Sequence, residues 1–252
     1  MYIRRLVGTT TFAILGLVTD SLQAAVHDLS LTSTASFGSG YLYRGIVRTD
    51  GPTFQFGGVG EIGGWRGRVW GNRPFRSAEP SEVQSSLGYL WGPEDELQVE
   101  LRGTHFWYVH HPIRGTASHS FETNLIVDWH QQDGWDVGLM LLGDLGFQST
   151  GGEIWIGRAV ALTHWGTFLH WRAFAGAVDG RRVSVGEGLP AIQDSYTYWG
   201  AGIRLPYRIT ARTSVFAEAN VVESIGLNPA WSPLRYGDGL RLWFRSGMEY
   251  EF

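Results

Sequence analysis

The sequence of 252 residues contains no cysteine. It therefore has no thiol that an oxidising compartment would attack, and no disulfide framework holds its fold. Beyond the first 25 residues there is also no run of 18 consecutive apolar residues, so the sequence offers no hydrophobic helix long enough to cross a bilayer. The net charge of -4 is small and does not favour a nucleic-acid partner.

Aromatic residues and glycine, by contrast, are abundant. Aromatics make up 14% of the chain and there are 35 glycines, yet the mean hydropathy of -0.11 is that of a water-soluble protein. Transmembrane β-barrels combine these properties because half of every strand faces water in the lumen. Composition therefore favours a membrane barrel without helical spans.

The first 25 residues have the features of a secretory signal. Arg4 and Arg5 form a positive start, residues 6–18 are mostly apolar, and Ala24 and Ala25 are small residues that suit a cleavage site. An N-terminal membrane anchor is the weaker alternative, because threonines interrupt the apolar run and spanning takes about 20 apolar residues. We therefore predict a signal peptide at 1–25 and one mature domain at 26–252.

The last segment, Leu240 to Phe252, alternates between apolar and polar residues. Since successive strand residues point to opposite sides, one face is apolar and the other carries Arg241 and Arg245. The segment ends on Phe252, as do the closing strands of outer-membrane barrels, where the barrel assembly machinery reads the terminus. An amphipathic strand of a soluble sheet is the alternative. We expect outer-membrane lipid and that machinery as partners.

About twelve segments alternate in this way, and no long helical period or linker separates them. An even number of antiparallel strands returns the chain to its starting side, as bacterial barrels require. The predicted fold is therefore all-β: a transmembrane antiparallel up-and-down β-barrel of about 12 strands.

The predicted connections alternate in length along the chain. Short ones lie at 63–64, 92–96, 131–134 and 164–166, and long ones at 72–80, 109–120, 179–195 and 223–239. Barrels of this kind have short periplasmic turns and long outer loops, whereas a soluble sandwich has no reason to sort its loops. We expect the first outer loop to be short.

Aromatic residues cluster at the predicted strand ends, where the two bilayer interfaces would lie. The expected periplasmic girdle contains Trp65, Trp91, Trp129, Trp135 and Phe252. The expected outer girdle contains Tyr41, Tyr43, Trp107, Phe121 and Tyr196.

A segment near the N-terminus carries a family resemblance. It runs Ser39-Gly40-Tyr41-Leu42-Tyr43-Arg44-Gly45-Ile46, followed by Thr49-Asp50-Gly51-Pro52, Gly64-Trp65 and Trp70-Gly71-Asn72. This segment resembles the opening of the TorF family of porin-like proteobacterial outer-membrane barrels. The resemblance covers about a quarter of the chain and implies a barrel channel whose solute is not generally defined.

The polar face of each predicted strand supplies candidate pore-lining residues. They are Arg44, Arg66, Arg68, Glu82, Glu100, Arg102, Asp128, Arg172, Arg204, Arg241 and Arg245. A mostly acidic wall would face a mostly basic one, and the resulting transverse field would select solutes by charge and dipole. Alternatively, these charges pair and fill the lumen, because twelve strands lie between filled and open barrels in size.

We expect a porin-like channel for passive diffusion of small solutes in the cell outer membrane, without a cofactor or a metal. Two alternatives stay open. A closed barrel could serve as an adhesin or structural protein through the loops at 179–195 and 223–239. An outer-membrane lipid-modifying enzyme is the other, since a predicted loop holds His110, His111, Ser118, His119 and Ser120. These residues form no recognisable nucleophile, base and orienting acid, so we do not expect an enzyme.

Overall fold

The computed structural model describes residues 29–76, 79, 81–93, 96–109, 119–131, 133–146, 148–183, 192–227, 229 and 237–252. The predicted signal peptide at 1–25 lies outside these residues. Within the described ranges, no helix is long and apolar enough to cross a membrane.

The described chain forms fourteen β-strands and one short 3-10 turn at Thr163–Trp165. The strands are β1 Ser30–Gly38, β2 Tyr41–Tyr43, β3 Ile46–Thr49, β4 Thr53–Ile62, β5 Trp65–Pro74, β6 Ser81–Trp91, β7 Leu97–Val109, β8 His119–His130, β9 Trp135–Asp144, β10 Ser149–Leu162, β11 Thr167–Val183, β12 Ile192–Arg208, β13 Thr213–Ile225 and β14 Gly239–Glu251. Twelve of them form a closed antiparallel barrel, and β2 and β3 form a separate two-stranded sheet. The predicted all-β barrel of 12 strands is confirmed.

Closure depends on the pairing of β1 with both β14 and β4. Gly38 pairs with Arg245 and Thr32 with Glu251, and the Phe252 N–H donates a hydrogen bond to the Leu31 carbonyl at 3.0 Å. Because both edges of the sheet are paired, the barrel has no free strand edge at this seam.

The two faces of the barrel wall differ in polarity. On β14, the outward side chains Leu240, Leu242, Phe244 and Met248 are exposed, as the alternation predicted. Polar side chains such as Asn72, Glu82, Glu100, Glu122 and Asn124 are buried on the inner face. A soluble barrel would reverse this arrangement, so the exterior suits a lipid environment.

The two ends of the barrel also differ. One end holds the start of β1, the end of β14 and short turns such as Gly63–Gly64, where both glycines have positive φ values of 55° and 84°. Exposed Trp65, Trp91 and Trp129 lie beside the turns at this end. In bacterial barrels this short-turn end faces the periplasm.

The first outer connection is not the short loop that we predicted. Residues 39–52 contain the β2–β3 hairpin, which folds into the lumen, and we call this segment the inward hairpin. Tyr41 and Tyr196 are only 8% and 3% exposed, and Tyr41 contacts the inner wall, so the prediction of Tyr41, Tyr43 and Tyr196 in an outer lipid girdle is wrong. Arg44, predicted on the polar face of a barrel strand, lies in the hairpin turn. Large side chains on both faces of this segment bury against opposite sides of the barrel.

Candidate functional site

The inward hairpin turns through two residues, Arg44 and Gly45, between the paired Tyr43 and Ile46. Both turn residues have positive φ, 50° and 78°, as two-residue turns of type I′ require. A Cβ on Gly45 would lie 2.5 Å from the Ser224 hydroxyl oxygen and 2.8 Å from the Tyr198 Cβ. The turn therefore lies directly against the far wall, and only glycine fits there.

The hairpin tip is joined to the acidic side of the wall by an ion pair. Arg44 Nη1 and Nη2 both contact the Glu122 carboxylate, with Nη2 to Oε1 at 2.8 Å. Both side chains are largely buried, at 10% and 3% exposure. Asn124 donates a further hydrogen bond to Glu122 at 2.9 Å. A fork-to-carboxylate contact of this kind fixes direction as well as distance.

The other side of the hairpin packs against an apolar cluster. Ile46 lies in a buried group with Val178, Tyr196, Tyr198 and Leu227. The Ser224 hydroxyl also donates a hydrogen bond to the Gly45 carbonyl at 2.6 Å. The hairpin therefore reaches across the lumen and contacts β8 on one side and β11 to β13 on the other.

The base of the hairpin is fixed to β5 and β6. Asn72 donates a hydrogen bond to Thr49 at 2.9 Å, and the Tyr41 ring packs on Trp70 with centroids 4.7 Å apart. Gln84 donates to the Tyr41 hydroxyl at 3.2 Å. The Tyr-x-x-Arg-Gly segment thus has a physical basis: the tyrosine fixes the base, the arginine the tip, and the glycine the turn.

A cavity of about 500 Å³ lies between the hairpin and the periplasmic end of the barrel, and we call it the vestibule. Arg44 and Gly45 of the hairpin line its outer side, and residues of β8 to β14 form its wall. A second cavity of about 300 Å³ lies between the hairpin and β5 to β10. A smaller cavity of about 50 Å³ lies on the outer side of the hairpin, lined by Tyr43, Ile46 and Arg48 of the hairpin.

The predicted pore-lining residues fall into groups. Arg44, Asp128, Arg172, Arg204 and Arg245 line the vestibule. A second group surrounds one carboxylate, since Arg66, Arg68 and Arg102 lie 3.4, 3.0 and 3.9 Å from Glu100. Glu82 is buried beside the hairpin base, where Gln84 donates to it at 2.6 Å. Arg241 occupies an inward position of β14 nearer the outer end, paired with Val222.

Many lumen charges form ion pairs between strands. Arg172 lies 3.0 Å from Glu153, Arg204 lies 2.7 Å from Glu249, and Arg245 lies 2.6 Å from Glu218. The sequence contains 20 arginines and no lysine. Arginine suits such sites because its planar fork binds carboxylates with two hydrogen bonds and its face packs on aromatic rings.

Sequence reasoning missed three contributors to this site. Glu153 lines the vestibule, Tyr43 packs on Phe106 with centroids 5.8 Å apart, and the Arg48 guanidinium lies 5.4 Å from the Tyr108 ring centroid. The sequence did contain a signal that Tyr43 and Arg48 lie in the lumen. Residues 41–48 place bulky groups on both faces of the segment, and a strand with one face in lipid would not.

The described residues hold no group of three histidine, cysteine, aspartate or glutamate side chains that could bind a metal. His105 Nε2 and His119 Nδ1 lie 3.0 Å apart, but both side chains are exposed on the outer face of the barrel. Ser120 bonds to Asp144 inside, on the strand face opposite His119. His110, His111 and Ser118 lie outside the described residues.

Neither a protein-family model nor a curated protein sequence matches this chain. Solved structures match it by fold. The NanC porin has a TM-score of 0.57 at 10% identity, covering 88% of this chain and all of that one. The chain shares the fold of this porin. LpxR from Salmonella typhimurium gives 0.52 at 10% identity, with 88% and 100% covered. An outer membrane channel from Pseudomonas putida F1 gives 0.51 at 10% identity, with 88% and 95% covered.

These matches and the apolar exterior place the protein in the cell outer membrane. The first of these three structures is a porin and the third is an outer membrane channel. LpxR is described as neither. Since one fold hosts several functions, the function has to be argued from the lumen.

Proposed function

We propose that this protein is a porin-like channel for passive diffusion of small solutes across the outer membrane, with the inward hairpin as its constriction. The observation that carries the proposal is the vestibule, a cavity of about 500 Å³ with charged walls inside a closed barrel. A lumen that served stability alone would be filled by side chains, as in smaller barrels.

Charged groups inside the vestibule keep contact with water. The Arg172 side chain is 50% exposed and the Asp136 side chain 45% exposed, although both lie on the inner face of the wall. A structural barrel gains nothing from half-solvated charges in its interior, whereas a channel needs them to replace the water around a passing solute.

The hairpin can act as a constriction because its backbone is not part of the barrel wall. β2 and β3 pair with each other in a sheet separate from the twelve-stranded one. The contacts of its tip with the wall are made by side chains, except for the Gly45 carbonyl that accepts from Ser224. The hairpin can therefore leave the lumen while the hydrogen-bond ladder of the barrel stays intact.

We also propose that the chain belongs to the TorF family, on the Tyr-x-x-Arg-Gly segment that forms the hairpin. The barrel assembly machinery is its proposed partner through Phe252, whose ring packs on Tyr250 with centroids 4.8 Å apart. An adhesin or structural role does not account for a charged vestibule inside the barrel. For a lipid-modifying enzyme, His119 and Ser120 cannot serve as one catalytic pair, because they point to opposite faces of the strand.

Solute flux into liposomes tests the proposal. In one variant, residues 39–52 are replaced by Asn-Gly, a two-residue turn that joins Gly38 to Thr53 without disturbing their pairing. We expect liposomes with this variant to swell faster in a neutral monosaccharide than those with the wild type. The control is Arg73→Gln, because Arg73 is exposed on the outer face of β5 and lies outside the vestibule. A folded variant barrel that admits no solute would overturn the channel, and equal rates would overturn the constriction.

A further inference from the structure

The vestibule carries opposite charges on two sides at the same level of the wall. Asp136 of β9 pairs with Gly157 of β10, and Gly157 pairs with Arg172 of β11. The backbones of Asp136 and Arg172 are thus two strand spacings apart, about 10 Å. Because the residue between them is glycine, no side chain separates the acidic group from the basic one at this level.

Each side of this gap is reinforced by a second group of the same sign. Asp128 on β8 also lines the vestibule beside Asp136, and Arg204 on β12 lines it beside Arg172. Asp128 and Arg172 line the same cavity, so the two sides act on the same space. One side of the vestibule therefore attracts a cationic group and the other an anionic group.

These charges keep the capacity to bind further partners. Arg172 Nη2 contacts Glu153 at 3.0 Å and Arg204 Nη2 contacts Glu249 at 2.7 Å, but each guanidinium has five N–H donors, and half of the Arg172 side chain is exposed. Asp136 Oδ1 contacts His130 at 2.6 Å, and its carboxylate has a second oxygen. Arg44, at the outer side of the vestibule, is in contrast bound by Glu122 through both terminal nitrogens and adds little free positive charge.

We propose that the vestibule binds a small zwitterion, with the ammonium group at Asp136 and Asp128 and the carboxylate at Arg172 and Arg204. The volume of about 500 Å³ lies within the usual range for small-molecule sites. A simple anion would bind one side and be repelled by the other, and the same holds for a simple cation. An uncharged solute would gain no charge-assisted hydrogen bond. That zwitterions are also the solutes passed rests on the proposed function, whereas the binding does not.

Binding to the folded barrel in detergent tests the proposal without any need for flux. Three probes share one carbon chain: 4-aminobutanoate with both charges, butanoate with the negative charge and butylammonium with the positive one. Saturation-transfer NMR titrations report their affinities. We expect 4-aminobutanoate to bind the wild type about tenfold or more tightly than either singly charged probe, since one charge-assisted contact is lost with each.

Charge variants sharpen the test. Asp136→Asn and Arg172→Gln should each weaken 4-aminobutanoate binding about tenfold and remove its advantage over one singly charged probe. The double exchange of Asp136→Arg with Arg172→Asp should restore the preference, because the zwitterion can bind in the reversed direction. Glu61→Gln, outside the vestibule, should change nothing.

Equal affinities of the three probes, or a zwitterion preference untouched by both single variants, would overturn the proposal. A failure of the zwitterion proposal can be distinguished from a failure of the channel proposal. A barrel that passes sugars without preferring zwitterions contradicts the solute class alone, and one that binds zwitterions but passes no solute contradicts the channel alone.

Discussion

Arg44 and Glu122 are 78 positions apart in the chain and meet inside the lumen through two N–H contacts, with Nη2 to Oε1 at 2.8 Å. The arginine belongs to the turn of the inward hairpin and the glutamate to β8 of the wall. This ion pair therefore joins the constriction to the barrel, and the hairpin position depends on it.

Glu122→Gln should release the hairpin. Removal of one partner of a buried ion pair costs about 3–5 kcal/mol, because the other charge is left buried and unpaired. The hairpin can avoid this cost by leaving the lumen, where Arg44 regains water. Trypsin added to the intact barrel should then cleave after Arg44 or Arg48 about 100-fold faster than in the wild type, as mass spectrometry of the fragments reports.

The double variant Arg44→Gln with Glu122→Gln provides the control for this prediction. It leaves no unpaired charge at this contact, so its cleavage after Arg48, the site that both variants keep, should be slower than in Glu122→Gln alone. Identical cleavage of wild type and Glu122→Gln would show that the ion pair does not hold the hairpin.

Gly45→Ala should also undock the hairpin. The φ of 78° alone disfavours alanine by about 1–3 kcal/mol, and the added Cβ would overlap Ser224 and Tyr198. The matched control is Gly67→Ala on β5, where a Cβ would meet nothing within 4 Å. Faster tryptic cleavage in the hairpin is expected for the first variant and not for the second. Equal protection of both would contradict the close approach of the turn to the wall.

Arg245→Glu should shift ion selectivity toward cations. Arg245 lines the vestibule and lies 2.6 Å from Glu218, so the change replaces a charge pair by two carboxylates. The reversal potential across a bilayer with a salt gradient reports the shift, measured in the barrel whose hairpin is replaced by Asn-Gly. Arg73→Glu is the control, since Arg73 is exposed and lies on the outer face of β5. An unchanged reversal potential for Arg245→Glu would exclude this side chain from the ion path.

Deletion of Phe252 should lower the amount of assembled barrel in cells without preventing refolding in detergent. The Phe252 N–H bonds to Leu31 at 3.0 Å, and its side chain is exposed, so it contributes little to the barrel core. The proposed partner would read the aromatic ring, and Phe252→Tyr should therefore retain most assembly. Heat-modifiable migration on gels measures the folded fraction in both settings. Normal assembly of the deletion variant would argue against recognition through this residue.

The barrel could be predicted from the sequence because it depends on a local rule. Strand residues alternate between two sides, so Leu242 and Phe244 had to share a face opposite Trp243 and Arg245 in any sheet. The same rule, applied along the chain, predicted the number of barrel strands. Each of these properties is set by neighbours in sequence.

The inward hairpin could not be predicted in this way because its position is set by distant residues. Three contacts of the hairpin exist only in the closed barrel. They are Tyr41 with Trp70, Arg44 with Glu122, and Ile46 with Tyr198. The alternation rule assumes lipid on one face, and a segment buried on both faces violates that assumption. Lumen ion pairs such as Arg172 with Glu153 likewise depend on register between strands.

Single-channel conductance of the wild type and of the barrel with residues 39–52 replaced by Asn-Gly tests the central claim most directly. The account predicts a small or rarely open conductance for the wild type and a larger, steadily open one for the replacement, in planar bilayers under the same salt. A folded replacement barrel with the conductance of the wild type, or with none, would contradict the hairpin as the constriction of a channel.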